Sequence, residues 1–283
     1  MYREYWHLKE KPFENVLDFR YLYLTPFHEE CLARLSYAVT EKKSGAVLIG
    51  TAGTGKSLLR ELLVRKIKEE HSGKLRVFCI VHPMLTITEL IRDCFFQLGV
   101  EDLPSGKSEL LHKFGNTVLE MSEKGEDTVL LIDDAHMLSL ETLKELKLLL
   151  NLHDYSQRHL LTMILIGEAN PSDPEETLMF RLSQVPSLCQ RLRVVVQMTQ
   201  LSRLEVGQYI QHRLQVSGSG STVFTAEAVD EIYKFSKGNL REINNICDIA
   251  LLIGYSEKLA CIDGDLVKRV VDDINNQFNP EAH

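Results

Sequence analysis

Apolar positions along this chain fall into two regimes. Up to about residue 199, short β-favouring runs alternate with helical periods; beyond it only helical periods remain. The runs cover residues 46–49, 75–81, 129–132, 160–166 and 193–198. Each is nearly continuous in aliphatic residues, the pattern of strands buried on both faces. Between them the spacing predicts helices over 27–43, from Leu58 onward, over 88–98 and 108–121, and one capped by Ser139. Strands alternating with helices predict an α/β fold with a three-layer, parallel, five-stranded sheet. The later periods, over 202–216, 225–235, 239–255 and 263–276, predict a smaller all-helical domain. The expected division is an α/β domain over 1–200, opening on an aromatic-rich irregular segment over 1–26, and a helical lid domain over 201–283.

The first run leads into Gly50-Thr51-Ala52-Gly53-Thr54-Gly55-Lys56-Ser57-Leu58, the G-x-x-x-x-G-K-S spacing of a P-loop (Walker A) between strand and helix. The glycines let the backbone turn and approach a ligand where a Cβ would clash. Successive N–H groups and the helix dipole then favour a phosphate. Lys56 is expected to reach the β- and γ-phosphates and Ser57 to ligate Mg²⁺, so ATP with Mg²⁺ is the expected cofactor. A chance glycine turn is the bland alternative; the full match in its strand–helix context argues against it.

The third run ends in Asp133-Asp134. A carboxylate at that point, on a strand expected beside the P-loop strand, would hold Mg²⁺ through water, the Walker B arrangement. Asp134 would orient or deprotonate an attacking water. An Asp-Asp turn ahead of the Ser139 helix is the structural alternative.

The formal charge of −8 gives no global basic excess for nucleic acid. The basic residues Lys42, Lys43, Arg60, Arg65, Lys66 and Lys68 read as solvated helix faces. Six scattered cysteines without C-x-x-C read as reduced thiols of a cytosolic protein. No stretch has the roughly 20 apolar residues of a membrane helix, and there is no signal core. The expected location is cytoplasmic, peripheral to the inner membrane at most.

Taken in order, these motifs resemble an AAA+ ATPase. More narrowly, the chain resembles the ExeA-type ATPases of the general secretion pathway (protein A family). The residues that carry this include Tyr5-Trp6-His7-Leu8 with Lys11-Pro12-Phe13, Tyr23-Leu24-Thr25-Pro26, and His82-Pro83-Met84. Further along they are Gln190-Arg191-Leu192, Leu201-Ser202-Arg203-Leu204-Glu205 and Gly238-Asn239-Leu240-Arg241-Glu242. The resemblance implies that Arg191 is an arginine finger acting on a neighbouring subunit's nucleotide, with Arg181 and Arg193 as nearby competitors. It implies that Arg241 is a lid arginine (sensor 2) facing the phosphates. His82 occupies the place of a polar switch residue and could contact Asp134; a core or helix-start histidine is the alternative.

Three departures from the family pattern matter. The second Walker B acid is Asp134 rather than Glu, which would slow hydrolysis unless His82 or His136 supports it. Gly167-Glu168-Ala169-Asn170 stands where a Gly-Gln-Pro is usual, putting sensor 1 in doubt and leaving Asn170 as a weak substitute. Secretion-pathway members continue into a membrane span and a peptidoglycan-binding region. This chain stops at His283, the expectation for a truncated piece or a stand-alone relative.

The expected function is ATP binding and hydrolysis that drives assembly of a ring or filament of copies, or remodels an unidentified protein partner, in secretion or export. The alternatives are a DNA-associated transposition-type regulator, which the acidic composition disfavours, and a nucleotide-gated scaffold with little turnover.

Overall fold

A computed structural model describes residues 2–155, 158–169, 174–220 and 222–278. The elements begin with α1 (Tyr2–Tyr5), α2 (Pro26–Thr40), β1 (Gly45–Gly50), α3 (Lys56–Glu70), β2 (Leu75–Ile80), α4 (Ile87–Gln97) and α5 (Lys107–Glu123). They continue with β3 (Asp127–Ile132), α6 (Leu140–Leu149), β4 (Leu161–Glu168), α7 (Leu178–Ser183), α8 (Pro186–Cys189) and β5 (Leu192–Gln197). The chain then runs through α9 (Arg203–Val216), α10 (Ala226–Ser236), α11 (Leu240–Ser256) and α12 (Gly264–Phe278).

The chain divides into two compact units, Pro26–Met198 and Met1–Thr25 with Thr199–His283. In the first, five strands form one parallel sheet in the order β2-β3-β4-β1-β5. Because successive residues point to opposite faces, Val47, Ile49, Leu130, Ile132, Met163 and Leu165 enter a core with Leu90, Phe114, Leu146 and Leu188 of the helices. Their neighbours Ala46, Leu48, Leu131 and Ile164 are equally buried, on the face where α2 and α3 pack against β1. That two-sided burial is why β1, β3 and β4 are almost wholly apolar, whereas β2 and β5, expected to be buried on both faces, are edge strands that carry exposed positions such as Arg76 and Arg193. The strand order differs from the expectation in one respect. β3 is not beside the P-loop strand; β4 lies between β3 and β1.

The second unit differs from the expected division at the N-terminus. Residues 1–25, expected with the sheet, are grouped with the helices. The Trp6 indole donates to the Leu251 carbonyl at 2.9 Å, and Tyr5 Oη donates to the Leu259 carbonyl at 2.8 Å. Arg213 is buried and donates from its guanidinium to the carbonyls of Pro12 and Glu14. Trp6, Leu8 and Phe13 are part of the same apolar core as Val206, Ile232, Ile243 and Leu251. The segment is therefore a strap that completes the helical core. In the loop before α11, Gly238 has φ +81°, and its carbonyl accepts the Leu201 N–H at 3.0 Å.

Candidate functional site

The loop after β1 is shaped by its glycines. Gly53 and Gly55 have φ +76° and +90°, the left-handed region that favours glycine. Gly50 is tight for another reason: a Cβ there would meet Thr54 Oγ1 at 2.8 Å and Met198 Cβ at 3.0 Å. Thr54, buried, donates its hydroxyl to the Thr51 carbonyl at 2.8 Å and fixes the loop's curvature. Gly55 is the N-cap of α3 and offers no side-chain acceptor to the first-turn N–H groups. A helix start without such an acceptor, with the helix dipole behind it, is a ready site for an anion. Lys56, 8% exposed, donates from Nζ to the carbonyls of Gly50 and Thr51 at 2.9 and 3.0 Å. Its ammonium thus lies over the loop.

Asp133 follows β3 directly and is buried; its N–H donates to the Ile80 carbonyl at 2.8 Å. The carboxylate Oδ1 accepts the Asp134 N–H at 3.0 Å, and Oδ2 accepts from Arg60 Nη1 at 2.5 Å. Arg60 was expected on a solvated helix face. It is instead turned inward, one helical turn past Lys56 and on the same side of α3. The i, i+4 spacing from the P-loop lysine was the signal available for it. Lys42 is not a free surface cation either: it pairs with Asp127 at 2.5 Å. Asp134 is exposed and takes a left-handed backbone at φ 48°, ψ 34°. Ser57, on the first turn of α3, is exposed.

Between these two strand ends stands Glu168, the last residue of β4. Its Oε1 is 3.8 Å from Lys56 Nζ. Its N–H donates to His136 Nδ1 at 3.3 Å, which puts the neutral ring's proton on Nε2. His136 therefore supports the β4 terminus. His82 is exposed after β2, and no hydrogen bond joins it to Asp134 among the described residues. Asn170, the other sensor 1 expectation, lies outside the described residues.

Of the three candidate arginines of this unit, Arg191 and Arg193 line one cleft and Arg181 lies elsewhere. Arg191 precedes β5 at the end of the sheet where Gly45 pairs with Leu192, the end opposite the P-loop. Its Nη1 donates to the Leu150 carbonyl at 3.4 Å. It lines a cleft of about 600 Å³ with Lys42, Lys43, Lys147, His159 and Arg193. Arg181 instead donates to the Leu138 carbonyl at 2.8 Å, next to the turn that follows Asp134. Arg241 belongs to the helical unit. It is exposed on the first turn of α11, where its N–H and that of Glu242 donate to the Asn239 side chain.

The residues fit a nucleoside triphosphate with Mg²⁺. The glycine-shaped start of α3 and the Lys56 ammonium match phosphate oxygens. Among the described residues, no group of three His, Cys, Asp or Glu side chains could hold a metal by itself. Mg²⁺ keeps waters and phosphate oxygens as ligands and would need only one or two protein oxygens, such as those of Ser57 and Asp133.

Comparisons with known proteins agree with the geometry. The AAA domain family matches residues 39–173. General secretion pathway protein A of Aeromonas hydrophila is 31% identical over 258 residues, covering 90% of this chain and 45% of that protein. The chain thus spans less than half the length of that relative. Among solved structures, Drosophila ORC bound to DNA matches with a TM-score of 0.68 at 17% identity, over 97% of this chain and 68% of that one. Aeropyrum pernix ORC2 gives 0.65 at 12% identity, over 93% and 71%. The Thermotoga maritima RuvB branch migration motor gives 0.56 at 15%, over 88% and 68%. No helix among the described residues is long and apolar enough to cross a membrane. A five-stranded parallel sheet, a glycine-shaped loop before α3 and these matches give the chain the fold of AAA+ P-loop proteins, with an AAA domain match over residues 39–173 and a resemblance to general secretion pathway protein A.

Proposed function

We propose that this chain binds ATP with Mg²⁺ and hydrolyses it to drive assembly of its own copies or remodelling of a protein partner, in secretion or export as the relative's name suggests. The observation that carries the reading is the start of α3. Its N-cap is a left-handed glycine without a side-chain acceptor, Lys56 lies over the loop, and a buried carboxylate, Asp133, ends a strand of the same sheet.

Lys56 and the α3 N–H groups bind the phosphates. Ser57 and Asp133 are the residues that would hold Mg²⁺. Bound Mg²⁺ supplies charge neutralisation of the phosphates in the transition state. Asp134, exposed at the turn, orients the attacking water. Arg191 acts on a triphosphate held by the next copy. Arg241 links the helical unit to the phosphates. The whole site then forms only in an assembly.

Lys56→Ala is expected to abolish ATP binding, measured with a fluorescent ATP analogue, and ATP-dependent growth in particle size. ATP affinity left unchanged by Lys56→Ala would remove the basis of the reading. A second reading, a nucleotide-gated scaffold, is favoured by Asp134 itself. It is one methylene shorter than Glu, and water positioning is sensitive to ångström displacements. Particles that assemble on ATP without releasing phosphate would select it.

A further inference from the structure

Asp133 does not meet a ligand as a free carboxylate. Arg60 Nη1 holds Oδ2 at 2.5 Å, with the two side chains only 15% and 8% exposed. The same guanidinium donates from Nε and Nη2 to Glu61 Oε1 at 3.1 and 2.5 Å. It is therefore clamped from two sides and cannot swing away without breaking bonds to both acids. A guanidinium does not titrate away at any ordinary pH. A permanent positive charge thus sits within hydrogen-bond distance of the acid assigned to the metal.

Two consequences follow from electrostatics. A free divalent cation approaching Asp133 finds one carboxylate oxygen already taken by Arg60 and a like charge beside it, shared with the more exposed Glu61, at a depth where screening is weak. A cation that arrives with a triphosphate brings the negative charge that offsets Arg60. The remaining oxygen, Oδ1, is fixed by the Asp134 N–H at 3.0 Å, so the carboxylate's plane is set from both ends.

We propose that Arg60 is a positioning residue that holds Asp133 in orientation and keeps free divalent metal off it, so that the metal is accepted only together with the triphosphate. This rests on the reading of Asp133 as the metal-side carboxylate. A purely structural tie between α3 and β3 would leave metal affinity untouched, which separates the two roles.

The test titrates Mn²⁺ by electron paramagnetic resonance into the full chain, with and without a non-hydrolysable ATP analogue. Arg60→Gln is expected to bind Mn²⁺ without nucleotide at least about tenfold more tightly than the unaltered protein. The gain should vanish in Arg60→Gln/Asp133→Asn. Arg60→Lys, which keeps the charge, should show no gain. Arg60→Met, which keeps the buried stem, serves in place of the Gln variant if that one does not fold. A folded Gln or Met variant with no gain overturns the proposal, as does a gain that survives Asp133→Asn. Asp133→Asn alone reports separately on the underlying reading. If it leaves Mn²⁺ binding with the nucleotide analogue unchanged, the Asp133 assignment fails. If it weakens that binding while Arg60→Gln gains nothing, only the role of Arg60 falls.

Discussion

Arg191 and Lys56 lie at opposite ends of one parallel sheet. β1 runs from Gly45, paired with Leu192, to Gly50, where the phosphate loop begins. At about 3.3 Å per residue, six residues of strand put roughly 17–20 Å between the two ends, beyond the reach of one arginine side chain. A catalytic role for Arg191 is therefore a role on another copy. Arg191→Ala should leave ATP affinity unchanged and lower assembly-dependent phosphate release by about 10³-fold, the lower range for arginine fingers acting in trans. Mixed particles of Arg191→Ala and Lys56→Ala subunits should regain part of that release, because a Lys56→Ala subunit still offers its Arg191. No recovery on mixing would sink the trans assignment.

Gly238 is the tightest glycine of the helical unit. Its φ is +81°, and a Cβ there would meet the Leu201 carbonyl oxygen at 2.0 Å. The contact is backbone to backbone, so no side chain can move aside. Gly238→Ala combines left-handed strain with overpacking, each costing about 1–3 kcal/mol. A loss of about 3 kcal/mol or more is expected in denaturant unfolding. The adjacent cap of α11, on which Arg241 rides, should loosen with it. A variant within about 0.5 kcal/mol of the unaltered protein would contradict this geometry.

The N-terminal strap should unfold with the helical unit rather than before it. Trp6 is 5% exposed, and its ring stands edge-on to Tyr5 at a centroid distance of 5.0 Å. It rests on α11 where a Cβ on Gly254 would come within 2.9 Å of the indole. Trp6→Ala should cost about 3–5 kcal/mol through lost burial and the cavity left behind. Limited proteolysis should then release the first 25 or so residues before it cuts the sheet. Resistance of the strap to protease in that variant would show that Tyr2, Tyr5 and the Arg213 bonds hold it without Trp6.

The glycine turn before α3 and the buried carboxylate after β3 were legible in the sequence as a pattern of fixed residue types at fixed spacing. The central strands β1, β3 and β4 were legible because burial on both faces leaves a nearly unbroken apolar run, and the edge strands β2 and β5 through their β-favouring residues. What the pattern does not encode is which strand neighbours which. Hydrophobic period says nothing about lateral order, so the insertion of β4 between β1 and β3 was missed, and with it the position of Glu168 between the two strand ends. The strap was misplaced for a related reason: Trp6 bonds to a carbonyl 245 residues away, and aromatic content gives no address. Arg60 was read as a surface cation because charge on a helix is usually solvated. Its partner is 73 residues distant, and only the one-turn spacing from Lys56 hinted at an inward face. The short helices α7 and α8 fall below the length at which a helical period can be seen.

Acid should destabilise both units through two histidines. Burial lowers the His159 pKa, with His153, Arg191 and Arg193 adding to the effect; burial likewise lowers that of His212, with Arg213 adding. Each also has a buried ring nitrogen, Nδ1 and Nε2 respectively, without a hydrogen-bond partner. A histidine whose folded pKa lies below its unfolded value of about 6.5 takes up its proton first in the unfolded chain. Its stabilising contribution is complete above that pH and is lost as pH falls below it towards the folded value. The melting temperature should therefore fall between pH 7.5 and 5.5, and His159→Gln with His212→Gln should flatten that fall. An acid limb of unchanged slope in the double variant would assign it to the carboxylates.

Glu168 sets the last expectation. Its carboxylate lies 3.8 Å from Lys56 Nζ, and its side chain is 31% exposed. On the proposed reading it draws on the ammonium that the phosphates would need, and its own charge would repel them. Both effects are partly screened at that exposure, so they should stay within the range of a partly solvated ion pair. Glu168→Gln is expected to tighten ATP binding by about two- to fivefold, read with a fluorescent analogue. The gain should shrink as salt is raised, since charge and not shape is what the substitution removes. A Glu168→Gln variant that binds ATP more weakly would instead mean that this carboxylate serves the site, through an ordered water or a metal ligand, and that β4 contributes chemistry where the family's usual glutamine is absent.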